Sequence, residues 1–205
     1  MEEHMTGNTS PREEKVSRRT AETDVEVQLI LDGDGKSQVH SGNGFMDHML
    51  VLFAKHGLFN LNLTCKGDTE VDYHHSAEDI GITLGTAFAG ALGDGAGIRR
   101  YGLSYLPMDE ALARVVVDLG GRPNLSYGVA LVDRKINDFE CDLVEDFLKA
   151  FSDNARATIH VDLLRGRNSH HAVEAIFKAL GRALAEAASI NPRAPREIPS
   201  TKGTL

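Results

Sequence analysis

The chain has 205 residues, 41% of them hydrophobic and 25% charged, which suits one ordinary globular domain or two small ones. Its net charge of -8 argues against a general binder of nucleic acid or anionic membrane, because phosphate backbones reward excess Lys and Arg. No apolar run approaches the roughly 20 residues needed to cross a bilayer, and Cys65 and Cys141 form no CxxC pattern, so a reducing, cytoplasmic setting is expected.

In chain order, residues 1–18 are polar, lack the apolar centre of a secretory signal, and are expected to be a flexible arm. Residues 23–35 (TDVEVQLILDGDG) read as a strand ending in a Gly turn. Residues 46–67 (MDHMLVLFAKHGLFNLNLTCKG) read as an amphipathic helix followed by an alternating strand. In 71–92, Ala77, Ile80, Leu84, Phe88 and Ala91 recur at helical spacing. The segment GAGIRRYG (95–102) carries Arg99 and Arg100 at a Gly turn, and ARVVVDLGGRP (113–123) is a strand leading to Arg122. Residues 144–166 again give a helix and then a strand, ATIHVDL. In 164–187 a helical pattern returns through Val173, Ile176, Leu180, Ala183 and Leu184. The Pro- and charge-rich tail 191–205 (NPRAPREIPSTKGTL) is expected to be a loop or arm.

The chain repeats itself. VDYHHSAED and RNSHHAVEA both place His-His-x-x-Glu at the start of an Ala/Leu-rich helix, and the elements upstream match in the same order. A duplication follows, with tandem halves 19–96 and 97–190 in one compact α+β domain of strands covered by helices.

Residues i and i+4 share a helix face, whereas i+1 points about 100° away. His74 and Glu78 therefore converge, His75 diverges, and His170, Glu174 and His171 do the same. Two metal sites are expected. One uses His74, Glu78 and the diverging His171; the other uses His170, Glu174 and the diverging His75. His48 and His160 are the candidates for a fourth ligand. Such nitrogen-rich sets suit Mn, Zn, Fe, Co or Ni rather than Mg or Ca. Arg99, Arg100, Arg122, Ser200, Thr201 and Lys202 offer a local phosphate site, since Arg matches phosphate with a bidentate fork. A dinuclear hydrolase or a metal-cemented scaffold fits this pattern, although no carboxylate stands out as a bridge.

The segments GFMDHML, AKHGLF, DYHHSAEDIGITLG, GIRRYG, PMDEAL, DLGGRP, RNSHHAVEAIFKALGRAL and PSTKG, in this order over residues 18–205, resemble the imidazoleglycerol-phosphate dehydratase family. The resemblance implies that each half is a four-stranded sheet packed against two helices. It implies two Mn2+ per subunit, with other divalent transition metals possible: one held by His48, His75, His170 and Glu174, the other by His74, Glu78, His160 and His171. It implies substrate contacts at Glu22, His56, Arg100, Arg122, Lys178, Ser200 and Lys202, with Thr201 and the metal ligands completing the pocket. Where many relatives carry Asp-Gln, this chain has Val51 and Leu52. The implied substrate is a small phosphorylated imidazole, dehydrated in histidine biosynthesis. Glu22 is the leading acid/base candidate, with His75 and Glu174 as catalytic metal ligands. The implied assembly is a large homo-oligomer, a 24-mer with sites at subunit contacts, with neither nucleic acid nor membrane as partner.

Overall fold

The computed structural model describes residues 11–205; residues 1–10 of the expected arm lie outside the described residues. The first half runs β1 (Glu13–Arg19), β2 (Thr23–Ile30), β3 (Ser37–His40), α1 (Gly44–Gly57), β4 (Asn60–Gly67) and α2 (His74–Leu92). The second runs β5 (Tyr101–Met108), β6 (Ala111–Asp118), β7 (Asn124–Gly128), a small hairpin of β8 (Lys135–Ile136) and β9 (Phe139–Glu140), α3 (Leu143–Ala155), β10 (Thr158–Arg165) and α4 (Ser169–Ala188). Apart from the β8–β9 hairpin the halves match element for element. Each builds a four-stranded sheet, ordered β1-β2-β4-β3 and β5-β6-β10-β7. In each sheet two ladders are antiparallel, and the last is parallel and bridged by a helical crossover, as a parallel pair requires.

The expected flexible arm is instead partly a strand. Residues 13–18 belong to β1, which pairs along its whole length with β2. The segment EEKVSRR holds one apolar residue, Val16, and sits at a sheet edge, where backbone hydrogen bonds rather than side-chain burial hold it. Its Arg18 Nε reaches Asp79 Oδ1 at 2.9 Å. Strands β3, β5 and β7 also escape the periodicity reading: β3 and β7 are short, and β5 begins inside what reads as a Gly turn. The tail after Ile190 forms no helix or strand, as expected. It is nevertheless pinned to the body, with Gly97 N donating to Glu197 O at 2.8 Å and Asn191 N to Gly97 O at 2.7 Å. Among the described residues no helix is long and apolar enough to cross a membrane, and both cysteines are free and buried.

All four helices lie between the two sheets and pair across the duplication, α1 with α4 and α2 with α3. Both pairs run parallel: His48 meets His170 and Glu174 near the N-terminal ends of α1 and α4, while Phe53 and Gly57 meet Gly181 farther along. Gly81 and Gly85 of α2 face Phe147 and Phe151 of α3 in the same sense. Phe45, Tyr73 and Phe139 cluster at the N-terminal end, with ring centroids 5.2 and 6.2 Å from Phe139, so all four helix starts share one end. Asn43 and Asn168 cap α1 and α4, each side chain accepting two backbone N–H groups, as N-cap residues do. The large side chains Phe53, Phe59, Phe88, Phe147, Phe151 and Phe177 fill one continuous core.

Helix spacing depends on glycine where backbones touch. A Cβ on Gly81 or Gly85 would lie 2.6 Å from the carbonyl oxygen of Phe147 or Phe151, and one on Gly181 would collide with that of Phe53. Alanine favours a helix by up to about 1 kcal/mol over glycine, but overpacking against an immobile backbone costs about 1–3 kcal/mol. Gly181→Ala is therefore expected to be destabilising, whereas Gly44→Ala, with open space around it, is expected to be near neutral or better. Urea unfolding of the two variants checks this; equal stabilities would show that the α1–α4 spacing does not depend on the missing Cβ.

Candidate metal and substrate site

His48 of α1 and His170 of α4 both turn Nε2 toward one carboxylate oxygen, Glu174 Oε1, at 2.9 and 3.1 Å. The three potential donor atoms lie within 4.8 Å of one another. His170 and Glu174 are one helical turn apart and converge as their spacing requires; His48 joins them because α1 lies parallel to α4. Glu174 is 7% exposed, and its second oxygen accepts from Lys178 Nζ at 2.6 Å. Burial pushes its carboxyl up, but the hydrogen bonds from Lys178, His48 and His170 outweigh that and hold it down at about 2. Two imidazoles and an ionised carboxylate aimed at one point, with both histidine side chains nearly half exposed, have the donor types and the open side that fit a transition-metal ion.

The second histidine of each pair turns away. His75 Nδ1 meets Asp68 Oδ2 at 3.1 Å, with Glu22 Oε2 at 3.8 Å. His171 Nδ1 meets Glu110 Oε2 at 2.8 Å, with Asp109 Oδ2 3.9 Å from Nε2. Hydrogen bonding to Asp68 raises the His75 pKa and hydrogen bonding to Glu110 raises that of His171, while the Glu110 carboxyl is drawn down to about 2, first by His171. His74 Nδ1 lies 3.3 Å from Asp146 Oδ2. Asp146 occupies on α3 the place His48 occupies on α1, and Glu78 is exposed one turn along α2.

A single chain thus brings together His48, His170 and Glu174. His75 stands apart from that trio, and His160 stands apart from His74, Glu78 and His171. His160 lies on the outward face of the second sheet, in register with Val116 and Ser126. Its counterpart Asn62 sits at the matching place on the first sheet, opposite Gln28. Half-buried His56, near the end of α1, has its pKa lowered by burial and by the charges of Lys178 and Arg182. Leu52 is half-buried and packs against the core, while Val51 is 38% exposed.

The basic residues gather elsewhere. Arg100 donates to Asp118 at 2.7 and 3.1 Å and to Pro199 O at 2.9 Å, beside Ser200. Arg122 Nη2 lies 3.6 Å from the same Asp118. Thr201 and Lys202 are exposed on the turn where Lys202 N bonds Ser200 Oγ at 3.2 Å. This group stands at the C-terminal end of the helices, since Arg100 N bonds Ala187 O at 2.8 Å. α4 has 20 residues, so the basic group and the histidine end of one chain are about 30 Å apart at 1.5 Å per residue. Asp68, Glu110, Asp118 and Asp146 are the site-supporting residues the sequence reading missed. Glu110 was within reach, standing in the hairpin PMDEAL, but a loop carboxylate has no periodicity that names its histidine partner.

The duplicated sheet–helix sandwich, with paired histidines at the starts of its helices and a separate arginine cluster, defines a class of α+β proteins with a His-His-Glu trio of metal-ligand donor types. The chain belongs to the imidazoleglycerol-phosphate dehydratase family, a family of histidine-biosynthetic enzymes whose model matches residues 41–184. Over 196 residues, 96% of this chain and 100% of the relative, it is 54% identical to the imidazoleglycerol-phosphate dehydratase of Thioalkalivibrio sulfidiphilus. It is 50% identical to that of Acidithiobacillus ferrooxidans over 196 residues, 96% of this chain and 98% of the relative. The Staphylococcus aureus structure of an imidazoleglycerol-phosphate dehydratase superposes with a TM-score of 0.79 at 42% identity, covering 87% of this chain and 99% of that one. The Pyrococcus furiosus structure gives 0.81 at 36% identity, covering 93% and 100%.

The depressed Glu174 pKa has a definite consequence in metal-free protein. Its contribution to stability is fully present above the ordinary carboxyl value of 4.5 and is lost as pH falls toward about 2. The gap in melting temperature between the metal-free parent and Glu174→Gln is expected to shrink from pH 5 to pH 2.5. A gap that stays constant over that range would show that the ionised carboxylate is not its source.

Proposed function

We propose that this chain removes water from D-erythro-imidazole-glycerol phosphate to give imidazole-acetol phosphate, as a manganese-dependent hydro-lyase with two metal sites. The observation that carries the reading is the His48–His170–Glu174 trio, built on two helices from opposite halves in a member of this family. We assign His75 to the same ion as that trio, and His74, Glu78, His160 and His171 to a second. Other divalent transition metals are compatible with these donors. The cytoplasm is the expected compartment.

The chemistry needs help because the hydrogen to be lost is next to no carbonyl. A bound divalent cation supplies it by lowering the cost of negative charge on the substrate ring. The chain's own residues do the rest. The histidine ligands orient the ring, and Glu174 contributes ionised charge beside it. Exposed Glu22, at the β1–β2 turn next to His75, takes or returns the proton on the glycerol carbons. Arg100, Arg122, Ser200, Thr201 and Lys202 hold the phosphate, with Lys178 and His56 lining the approach. Anchoring both ends of the substrate fixes the reacting carbons, which converts binding energy into rate.

The distance between the two ends of one molecule supports a shared site. An imidazole and a phosphate on one small substrate cannot reach across about 30 Å of helix α4. The ring-binding residues of one copy therefore work with the phosphate-binding residues of another, in a large homo-oligomer for which a 24-mer is the family expectation. Tyr101, Leu103 and Tyr105 of β5, each more than half exposed, lie two strands from His160 in the second sheet and suit burial against another copy.

Three outcomes test this. Steady-state assay with the imidazole substrate should show turnover; its complete absence in metal-loaded protein overturns the reading. Chelation should abolish turnover and dissociate the assembly, and Mn2+ should restore both; a particle of unchanged size without metal would break the link between ion and assembly. Because His75 and His171 carry raised pKa values without metal and must be neutral to bind it, Mn2+ uptake should release protons near neutral pH. Occupancy and activity should then decline together on acidification, as paired elemental analysis and rate measurements will show.

A further inference from the structure

We infer that Glu110 and Asp68 are positioning residues, each gripping the second histidine of a His-His pair by Nδ1 so that Nε2 is presented as the donor to metal. This rests on the proposed metal reading but concerns residues outside the ligand sets. Glu110 stands at the tip of the β5–β6 hairpin and uses both oxygens. Oε2 meets His171 Nδ1 at 2.8 Å, and Oε1 accepts the backbone N–H groups of Asn168 at 2.9 Å and Arg167 at 3.4 Å. Asn168 in turn caps α4, accepting the N–H of His170 at 2.9 Å and of His171 at 3.3 Å. One carboxylate thus fixes both the ring of His171 and the helix end that carries it. A ring whose Nδ1–H is held by a carboxylate has its tautomer set, leaving Nε2 as the lone-pair nitrogen.

The first half solves the same problem with a different residue. The residue matching Glu110 in the duplication is Glu22, at the β1–β2 turn, but its oxygen stays 3.8 Å from His75 Nδ1. Asp68 takes the contact, at 3.1 and 3.3 Å. It comes from the β4–α2 connection, residues 68–73, which is longer than the corresponding 166–168 between β10 and α4. Asp68 N also donates to Glu22 O at 3.1 Å, tying the two turns together. With Asp68 orienting the ring, the exposed Glu22 carboxylate is left for proton transfer, whereas Glu110 is committed to its histidine.

The test compares Glu110→Ala with Glu110→Gln and Asp68→Ala with Asp68→Asn, using Mn2+ alone as the probe. An amide oxygen still accepts the Nδ1–H bond; a methyl group does not. Calorimetric titration of stripped protein should give affinities lowered roughly 10- to 100-fold in the alanine variants, with most of the loss recovered in the amide variants. Nitrogen-15 spectra of histidine-labelled, metal-free protein above the histidine titration should show His75 and His171 with the proton on Nδ1, and mixed tautomers in the alanine variants. Parent-like affinity in both alanine variants, or amide variants no better than alanine, overturns the inference. So do parent spectra with the proton on Nε2. If the parent itself took up no Mn2+, the metal reading would fail, and the spectra would still decide the orienting role.

Discussion

Pairing of helices across the duplication is the constraint from which the rest of the molecule follows. α1 of the first half needs α4 of the second to cover its inner face, and α2 needs α3. Neither half can bury its helices alone, so the repeats are halves of one core rather than two domains. The pairs run parallel, which the several strands between their members permit and a short helix–helix turn would not. Parallel pairing then collects four helix starts at one end and four helix finishes at the other. Residues distant in sequence, such as His48 and Glu174, meet there without any loop reaching across.

Within that symmetric frame the two halves have diverged where chemistry is concerned. His48 on α1 corresponds to Asp146 on α3, so one helix pair offers two imidazoles and a carboxylate while the other sets a carboxylate against His74. Asn62 on the first sheet corresponds to His160 on the second. Around Asn62 the outward face is polar, with Gln28 donating no apolar surface and Asn62 Nδ2 bonding its oxygen at 3.2 Å. His160 instead stands between Val116 and Ser126, in a sheet whose edge strand β5 exposes Tyr101, Leu103 and Tyr105. Duplication supplied two equal platforms, and substitution at single matched positions gave each its own role.

The parts legible in the sequence are those governed by period. The helices show in apolar recurrence at three and four residues, and the His-x-x-x-Glu convergence is a statement about helix rotation that His170 and Glu174 bear out at 3.1 Å. The divergence of His75 and His171 follows from the same rotation. What escaped has no period. β1 is charged on both faces and reads as an arm, although its ladder to β2 holds it. Asp68 and Glu110 sit in turns, where one residue's partner depends on how two elements dock. The separation of the arginine group from the histidine end is equally invisible in one dimension, since PSTKG and the His-His pair of α4 are near neighbours along the chain. Only the direction of α4 sends them to opposite ends.

That arrangement also sets the charge at the two ends of the molecule. The histidine end carries Glu174, Glu78, Asp146, Asp68, Glu22, Glu110 and Asp109, a dense set of carboxylates in a chain already at -8. Four helix N-termini offset part of this charge, each equivalent to roughly half a positive charge at short range. Their effect fades beyond the first turn and does not reach a neighbouring molecule. On the proposed reading, cations held by the imidazole nitrogens that Asp68 and Glu110 leave free would offset this charge. At the other end, helix C-termini favour the guanidinium of Arg100, and Asp118 keeps it paired. The single chain is therefore balanced at its arginine end and unbalanced at its histidine end, and on the proposed reading bound divalent ions would restore the balance there.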